Sequence, residues 1–231
     1  LQSTPVVEVE RQVRALGHEM VVDEADPLPP AVFEPRGLAQ DRDRIRLAHA
    51  QRQRPPAGRV RRARAGQRAH SGAGAGIQAD LKAAAACGCY ATTVITALTA
   101  QNTRGVRDIF PVPGKFIAAQ IDAVLSDIGA DAVKTGMLLT RAAVEVVVKK
   151  IRQFGLKNVV VDPVMIAKGG RVMMQDAARR AVVEKLLPLS LVVTPNIPEA
   201  EVLSNVKIRT VADMKKAAAI IRKTGAKQVV V

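Results

Sequence analysis

The stretch that decides the fold is residues 74–106, GAGIQADLKAAAACGCYATTVITALTAQNTRGV. A glycine turn opens it and an alanine-rich helix follows. The β-branched apolar run over residues 91–99 then reads as a buried strand that delivers Gln101 and Asn102 at its C-terminal tip. In an open parallel sheet the ligand crevice lies outside the carboxyl ends of the strands, so this stretch points to a site as well as to a fold.

Downstream the alternation continues. Pro113 sets the first turn of a helix with Ile117, Ile121, Val124, Leu125 and Ile128 at helical spacing, and Gly129 closes it. A second strand is predicted over 132–136. The next helix carries Val144, Val147, Val148 and Ile151 on one face, with Gly155 after its end. A third strand over 159–162, a helix over 177–187 and a fourth strand over 191–194 follow. Thr210, with Asp213 at the capping-box position, starts a helix bearing Met214, Ala217, Ala218 and Ile221, and a further strand begins at Gln228. Such alternation predicts an α/β fold: a mostly parallel sheet covered by helices on both faces.

Composition agrees. The chain is 48% hydrophobic but 2% aromatic with no Trp, so its core is built from Ala, Val, Ile and Leu, as in near-continuous apolar strands. Cys87 and Cys89 are too close for an ordinary bridge and too few for a zinc cage; they read as reduced packing residues, in keeping with the cytoplasm. Apolar runs are of strand length, far below the roughly 20 residues of a membrane span, and no signal-peptide pattern is present. The expectation is a soluble, cytoplasmic protein without a membrane partner.

The net charge of +14 raises the question of nucleic acid. Residues 1–70 hold 13 Arg, no Lys and 9 acids, a balance of +4, whereas residues 71–231 hold 13 Lys, 9 Arg and 12 acids, a balance of +10. The change of cation usage marks a composition boundary, so residues 1–73 are expected to be an atypical Arg-rich segment and 74–231 the folded domain. Residues 36–70 lack apolar periodicity. They read either as a disordered basic arm that neutralises phosphates or as a frame or fusion artefact; Leu1 in place of an initiator methionine favours the latter. Without stacking aromatics, a zinc pattern or a helix-turn-helix signal, a nucleic-acid partner is not expected. Residues 1–35 can form a strand, a short helix and a second strand, although a tail of a neighbouring reading frame would look the same; no chemistry is assigned to them, and His18 reads as a loop residue.

Polar residues fall at four strand tips: Gln101-Asn102, Thr135-Gly136-Met137, Asp162-Pro163-Val164-Met165 and Thr194-Pro195-Asn196-Ile197-Pro198-Glu199. Four tips along one edge describe a cleft. It offers carboxylates (Asp162, Glu199), amides (Gln101, Asn102, Asn196) and apolar walls (Met137, Val164), with no His or Ser nucleophile beside a base. That inventory suits positioning and charge neutralisation, the regime of phosphoryl transfer, over acyl transfer. Each residue also has a structural reading: Met137 and Val164 as core, Gln101 as a solvated turn, Glu199 as a helix cap, and Asp162 as an acceptor of backbone amides.

The motifs GAGIQAD, TAQN, KTGM, DPVM and NIPE, spread over residues 74–231, resemble the hydroxymethylpyrimidine/phosphomethylpyrimidine kinases of thiamine biosynthesis, in the ribokinase-like superfamily. The resemblance implies a ribokinase-like three-layer α/β/α domain with a mostly parallel central sheet. It implies ATP and Mg²⁺, an aminopyrimidine substrate phosphorylated on its hydroxymethyl group and then on the monophosphate, and a homodimer in the intact family member. Pyridoxal kinase is the sister activity. Residue by residue it implies that Gln101 reads the aminopyrimidine edge, that Ala75 lies against the ring, and that Met137 and Val164 line the pocket. Asp162 and Glu199 fall near Mg²⁺, and Asn196 and Lys168 near the ATP phosphates; Lys168 also reads as a surface lysine. Asp80 reads as support for the glycine turn.

Two departures stand out. Where the family's first strand ends in Gly-Ser-Asp, this chain has Arg68-Ala69-His70-Ser71, and one family glycine is Ala73. The family's Lys-Gly-Gly-His and Gly-Thr-Gly-Cys segments, with the anion-hole cysteine, would lie beyond Val231. The domain is therefore expected to be incomplete at both ends, to hold no catalytic residue of that kind, to bind substrate weakly and to turn over slowly or not at all. Cys87 and Cys89 lack the glycine frame to substitute.

Overall fold

The computed structural model describes residues 62–72, 74–102, 104–165 and 173–231. In chain order the elements are β1 (Arg62–His70), α1 (Gly76–Ala86), β2 (Tyr90–Asn102), β3 (Gly105–Pro111), α2 (Gly114–Asp127), β4 (Ala132–Thr135), α3 (Arg141–Gln153), β5 (Val159–Val161), α4 (Asp176–Ala181), β6 (Val192–Val193), α5 (Ile197–Ser204), α6 (Val211–Arg222) and β7 (Gln228–Val229). The strands form one sheet in the order β3-β2-β1-β4-β5-β6-β7. All neighbours pair in parallel except β3, which runs antiparallel to β2.

Strand alternation in β4 separates the layers. Val133 and Thr135 look onto a small cavity walled by Ile121 and Leu125 of α2 and Val147 and Ile151 of α3. Lys134, between them, points the other way and pairs with Asp80 of α1 at 3.0 Å. Thus α1 covers one face and α2 and α3 cover the other, giving a three-layer α/β/α arrangement.

Local chemistry explains the helices. Thr140 caps α3 by accepting from the Ala143 amide, Lys150 and Arg152 sit in its last turn, and Gly155 leaves it with φ 61°. Its buried Val144, Val147, Val148 and Ile151 join the main core, where each side chain contributes about 1.5–3 kcal/mol. Lys150 is nearly buried, yet it reaches Asp122 of α2 at 2.6 Å and so ties the two helices together. In α6 the expected capping box is present, with Thr210 accepting from the Asp213 amide and the Asp213 carboxylate bonding back to Thr210.

The structure differs from the sequence reading in three places. The ordered sheet begins upstream of residue 74: β1 pairs with β2 from Arg62↔Tyr90 and with β4 from Ala63↔Ala132 to Gly66↔Thr135. Its lack of an apolar pattern hid a central strand whose backbone is satisfied on both sides and whose buried Gly66 needs no apolar side chain. Strand β3 was not foreseen, because as an edge strand it carries exposed Arg107 and Asp108 and shows no clean alternation. The helix expected over 177–187 is α only to Ala181; one π turn (Val182–Leu186) and a 3₁₀ turn (Leu187–Leu189) follow, and Pro188 cannot extend a helical ladder.

The readings of residues 1–61, including His18, and of Lys168 fall outside the described residues. Among the described residues no helix is long and apolar enough to cross a membrane.

Candidate active site

Because β2, β1, β4, β5 and β6 are parallel neighbours, their C-terminal tips share one edge of the sheet. Gln101 lies at the end of β2, clasped through its backbone by a residue just beyond β1. The Ser71 hydroxyl donates to the Gln101 carbonyl at 2.5 Å and accepts from the Gln101 amide at 2.9 Å. Two residues earlier, Thr99 Oγ1 donates to the Ala69 carbonyl at 3.0 Å, so the two strand ends are stitched together. Fixed in this way, Gln101 holds its side-chain Oε1 buried and without a hydrogen-bond partner among the described residues. A buried acceptor left unpaired costs about 1–3 kcal/mol.

Met137, after β4, is fully buried in a small apolar cluster with Ala97 and Met173, against which Val106, Ile109 and Val164 pack. This cluster is separate from the main core. The structure therefore brings Met137 and Val164 together at the site edge. Ala75 is half-buried at the N-cap of α1, whose first turn holds no acidic residue and no side-chain cap.

The carboxylates are engaged. Asp162 Oδ2 lies 3.1 Å from Lys134 Nζ, and the same ammonium holds Asp80. Glu199 forms a capping box at the start of α5: the Asn196 side chain accepts from the Glu199 amide at 2.9 Å, and Glu199 Oε2 accepts from the Asn196 amide at 3.1 Å. Its other oxygen accepts from the Met165 amide at 3.2 Å, joining the tips of β5 and β6. The helix-cap reading of Glu199 is thus realised, and Asp162 is held by a lysine ammonium in place of backbone amides.

Electrostatics follow from this packing. Burial pushes Glu199 up to about 7, with the nearby Asp162 charge adding to the push and the Asn196 and Met165 amides opposing it. Arg68, near the end of β1, is pushed below the ordinary arginine value by burial, against a restoring pull from Asp162. Its Nη1 is buried and finds no hydrogen-bond partner among the described residues. No group of three or more His, Cys, Asp or Glu side chains able to hold a metal occurs among the described residues. Cys87 and Cys89 are free thiols, but Cys87 is exposed and Cys89 only half-buried, so neither is the packing residue expected from the sequence.

The sequence pattern of the family described as phosphomethylpyrimidine kinase matches residues 70–231. The chain belongs to the phosphomethylpyrimidine kinase family. It is 46% identical over 154 residues to the hydroxymethylpyrimidine/phosphomethylpyrimidine kinase of Bacillus subtilis, an alignment covering 67% of this chain and 57% of that relative. The chain thus spans under two thirds of the length of the curated relative it matches. Among solved structures, a phosphomethylpyrimidine kinase from Clostridium difficile superposes with a TM-score of 0.69 at 41% identity, over 74% of each chain. A pyridoxal kinase from Staphylococcus aureus in complex with pyridoxal gives 0.67 at 36%, over 74% of this chain and 64% of that one.

Within this phosphomethylpyrimidine kinase fold, three neighbours of the cleft were not marked as site residues from sequence. Lys134 was legible in principle: alternation in β4 sets it opposite Val133 and Thr135, on the face that the acid of GAGIQAD also occupies. Ser71 and Arg68 carried no signal, because a strand at residues 62–70 was not expected.

Proposed function

We propose that this domain transfers the γ-phosphoryl group of ATP to the hydroxymethyl oxygen of 4-amino-5-hydroxymethyl-2-methylpyrimidine, and then to the monophosphate, giving the diphosphate used in thiamine assembly. In each step the acceptor oxygen bonds to the γ-phosphorus, the bond to the β–γ bridging oxygen breaks with its electron pair leaving on ADP, and in the first step the hydroxyl proton passes to solvent. The observation that carries this reading is the buried Oε1 of Gln101, without a partner among the described residues, beside the parallel strand tips. A glutamine amide offers one acceptor and two donors, the complement of an aminopyrimidine edge with its exocyclic amine and ring nitrogen. Met137 and Val164, already clustered, provide an apolar wall for the ring, and the small Ala75 leaves room for it.

Asp162 and Glu199 fit a divalent cation that brings most of its own ligands. The two acids stand close enough for the Asp162 charge to act on Glu199, whose ionisation burial already discourages, so added positive charge is favoured there, and Mg²⁺ is satisfied by one or two carboxylates with water and phosphate oxygens. When bound, Mg²⁺ would neutralise charge on the transferring phosphoryl group. Asn196 then holds the Glu199 amide and carboxylate in place at the phosphate side, and Lys168 is assigned to the same side from the resemblance alone. A homodimer and a cytoplasmic setting complete the proposal. The former is supported by the exposed pair Leu98 and Phe110, directly opposite each other on β2 and β3, and the latter by the two free thiols.

Calorimetry with the unphosphorylated aminopyrimidine tests the reading. Gln101→Ala is expected to weaken binding by about 1–3 kcal/mol, since the ligand edge loses its partner. Unchanged affinity removes Gln101 from the site, and tighter binding of pyridoxal than of the aminopyrimidine replaces this substrate with that of the sister activity.

A further inference from the structure

We propose that Arg68 is an anion-holding residue, its guanidinium taking phosphoryl oxygens of a ligand bound at the tip of β1. The inference rests on the kinase reading of the cleft and adds a residue whose place in the family pattern is filled differently.

Arg68 sits next to the irregularity in β1–β2 pairing that falls between Gln67 and Ala69, and three residues before Ser71, which clasps Gln101. Its strand lies between the tips carrying Gln101 and Lys134. A guanidinium is a pure donor and does not neutralise itself by losing a proton, so a buried Nη1 that finds no partner among the described residues calls for an external acceptor. The nearby acid does not meet that need. Asp162 acts on Arg68 through space, but among the described residues no carboxylate forms an ion pair with Arg68, and Asp162 Oδ2 is held by Lys134 at 3.1 Å. Among the described residues the edge thus presents Lys134, already shared by two carboxylates, and Arg68, which no carboxylate pairs. A planar guanidinium fork matches two phosphoryl oxygens in a geometry that a lysine does not offer. The shared chemistry is a phosphomonoester or phosphoanhydride oxygen, carried either by the pyrimidine monophosphate or by the nucleotide.

Calorimetry at constant ionic strength on the intact chain, Arg68→Gln and Arg68→Lys decides the matter, with the hydroxymethylpyrimidine, its monophosphate, ATP and inorganic phosphate as probes. Arg68→Gln is expected to weaken the phosphorylated ligand at least tenfold and to leave the unphosphorylated alcohol within twofold, with Arg68→Lys intermediate. A loss confined to the monophosphate, or to ATP, assigns the source of the phosphoryl group. Equal losses for phosphorylated and unphosphorylated ligands, or no loss, overturn the proposal and leave Arg68 as a counter-charge to Asp162. Should Arg68→Gln fail to fold, the intact chain still answers: inorganic phosphate is expected to displace the monophosphate or ATP and not the alcohol, and absence of such competition overturns the assignment. If the pyrimidines do not bind at all, the substrate reading fails, while the ATP and phosphate titrations still decide the role of Arg68.

Discussion

Replacing Glu199 by Gln should abolish a pH-dependent loss of stability that the wild-type chain carries between about pH 4.5 and 7. Glu199 is 3% exposed, and burial lifts its pKa from the ordinary 4.5 to about 7. That rise corresponds to about 3 kcal/mol between the two protonation states. The folded chain binds this proton more tightly than the unfolded chain, so between the two values the native state carries more protons and stability falls as pH rises. The contribution is fully present below about pH 4.5 and gone above about 7. Glu199→Gln keeps a neutral side chain at every pH. It retains one acceptor for the Met165 or Asn196 amide and turns an NH₂ toward the other, a penalty of about 1–2 kcal/mol that does not vary with pH. Urea unfolding of both proteins at half-unit steps from pH 4.5 to 8 measures the difference. The stability gap between wild type and variant should change by about 3 kcal/mol across the window and then level off. Parallel stability curves would refute the claim that Glu199 is buried as a strained carboxylate.

Two glycines make opposite predictions. Gly66 lies between Val94 and Thr135 beside a cavity of about 30 Å³, and an added Cβ would meet only the Lys134 carbonyl at 3.8 Å. Gly66→Ala should therefore stabilise by about 0.5–1 kcal/mol through lower unfolded-state entropy and a partly filled void, read as a higher Tm; a lower Tm would mean that β1 has no such room. Gly225 has φ +108°, and its Cβ would come within 3.0 Å of the Pro188 Cα. Gly225→Ala should cost about 1–3 kcal/mol in chemical denaturation, and a neutral result would contradict the close approach of the two turns.

What the sequence by itself determined was the part governed by local rules. The 3.6-residue spacing of Val144, Val147, Val148 and Ile151, the Thr210–Asp213 cap and the β-branched run ending at Gln101 each state their element through near neighbours, and the structure follows them. Alternation of strands and helices carried the parallel sheet, and with it the shared edge of polar tips. Only the tertiary structure decided what depends on partners distant in the chain. Strand β1 exists because β2 and β4 hydrogen-bond it from both sides, although Gly66 and its neighbours show no pattern of their own. Asp162 meets Lys134, Ser71 clasps Gln101, and Glu199 joins the Met165 amide across 34 residues of sequence. A side chain's pKa or unmet hydrogen bond is set by what packs around it, and that is why the raised pKa of Glu199 and the Arg68 Nη1 that finds no partner among the described residues became visible only in the folded chain.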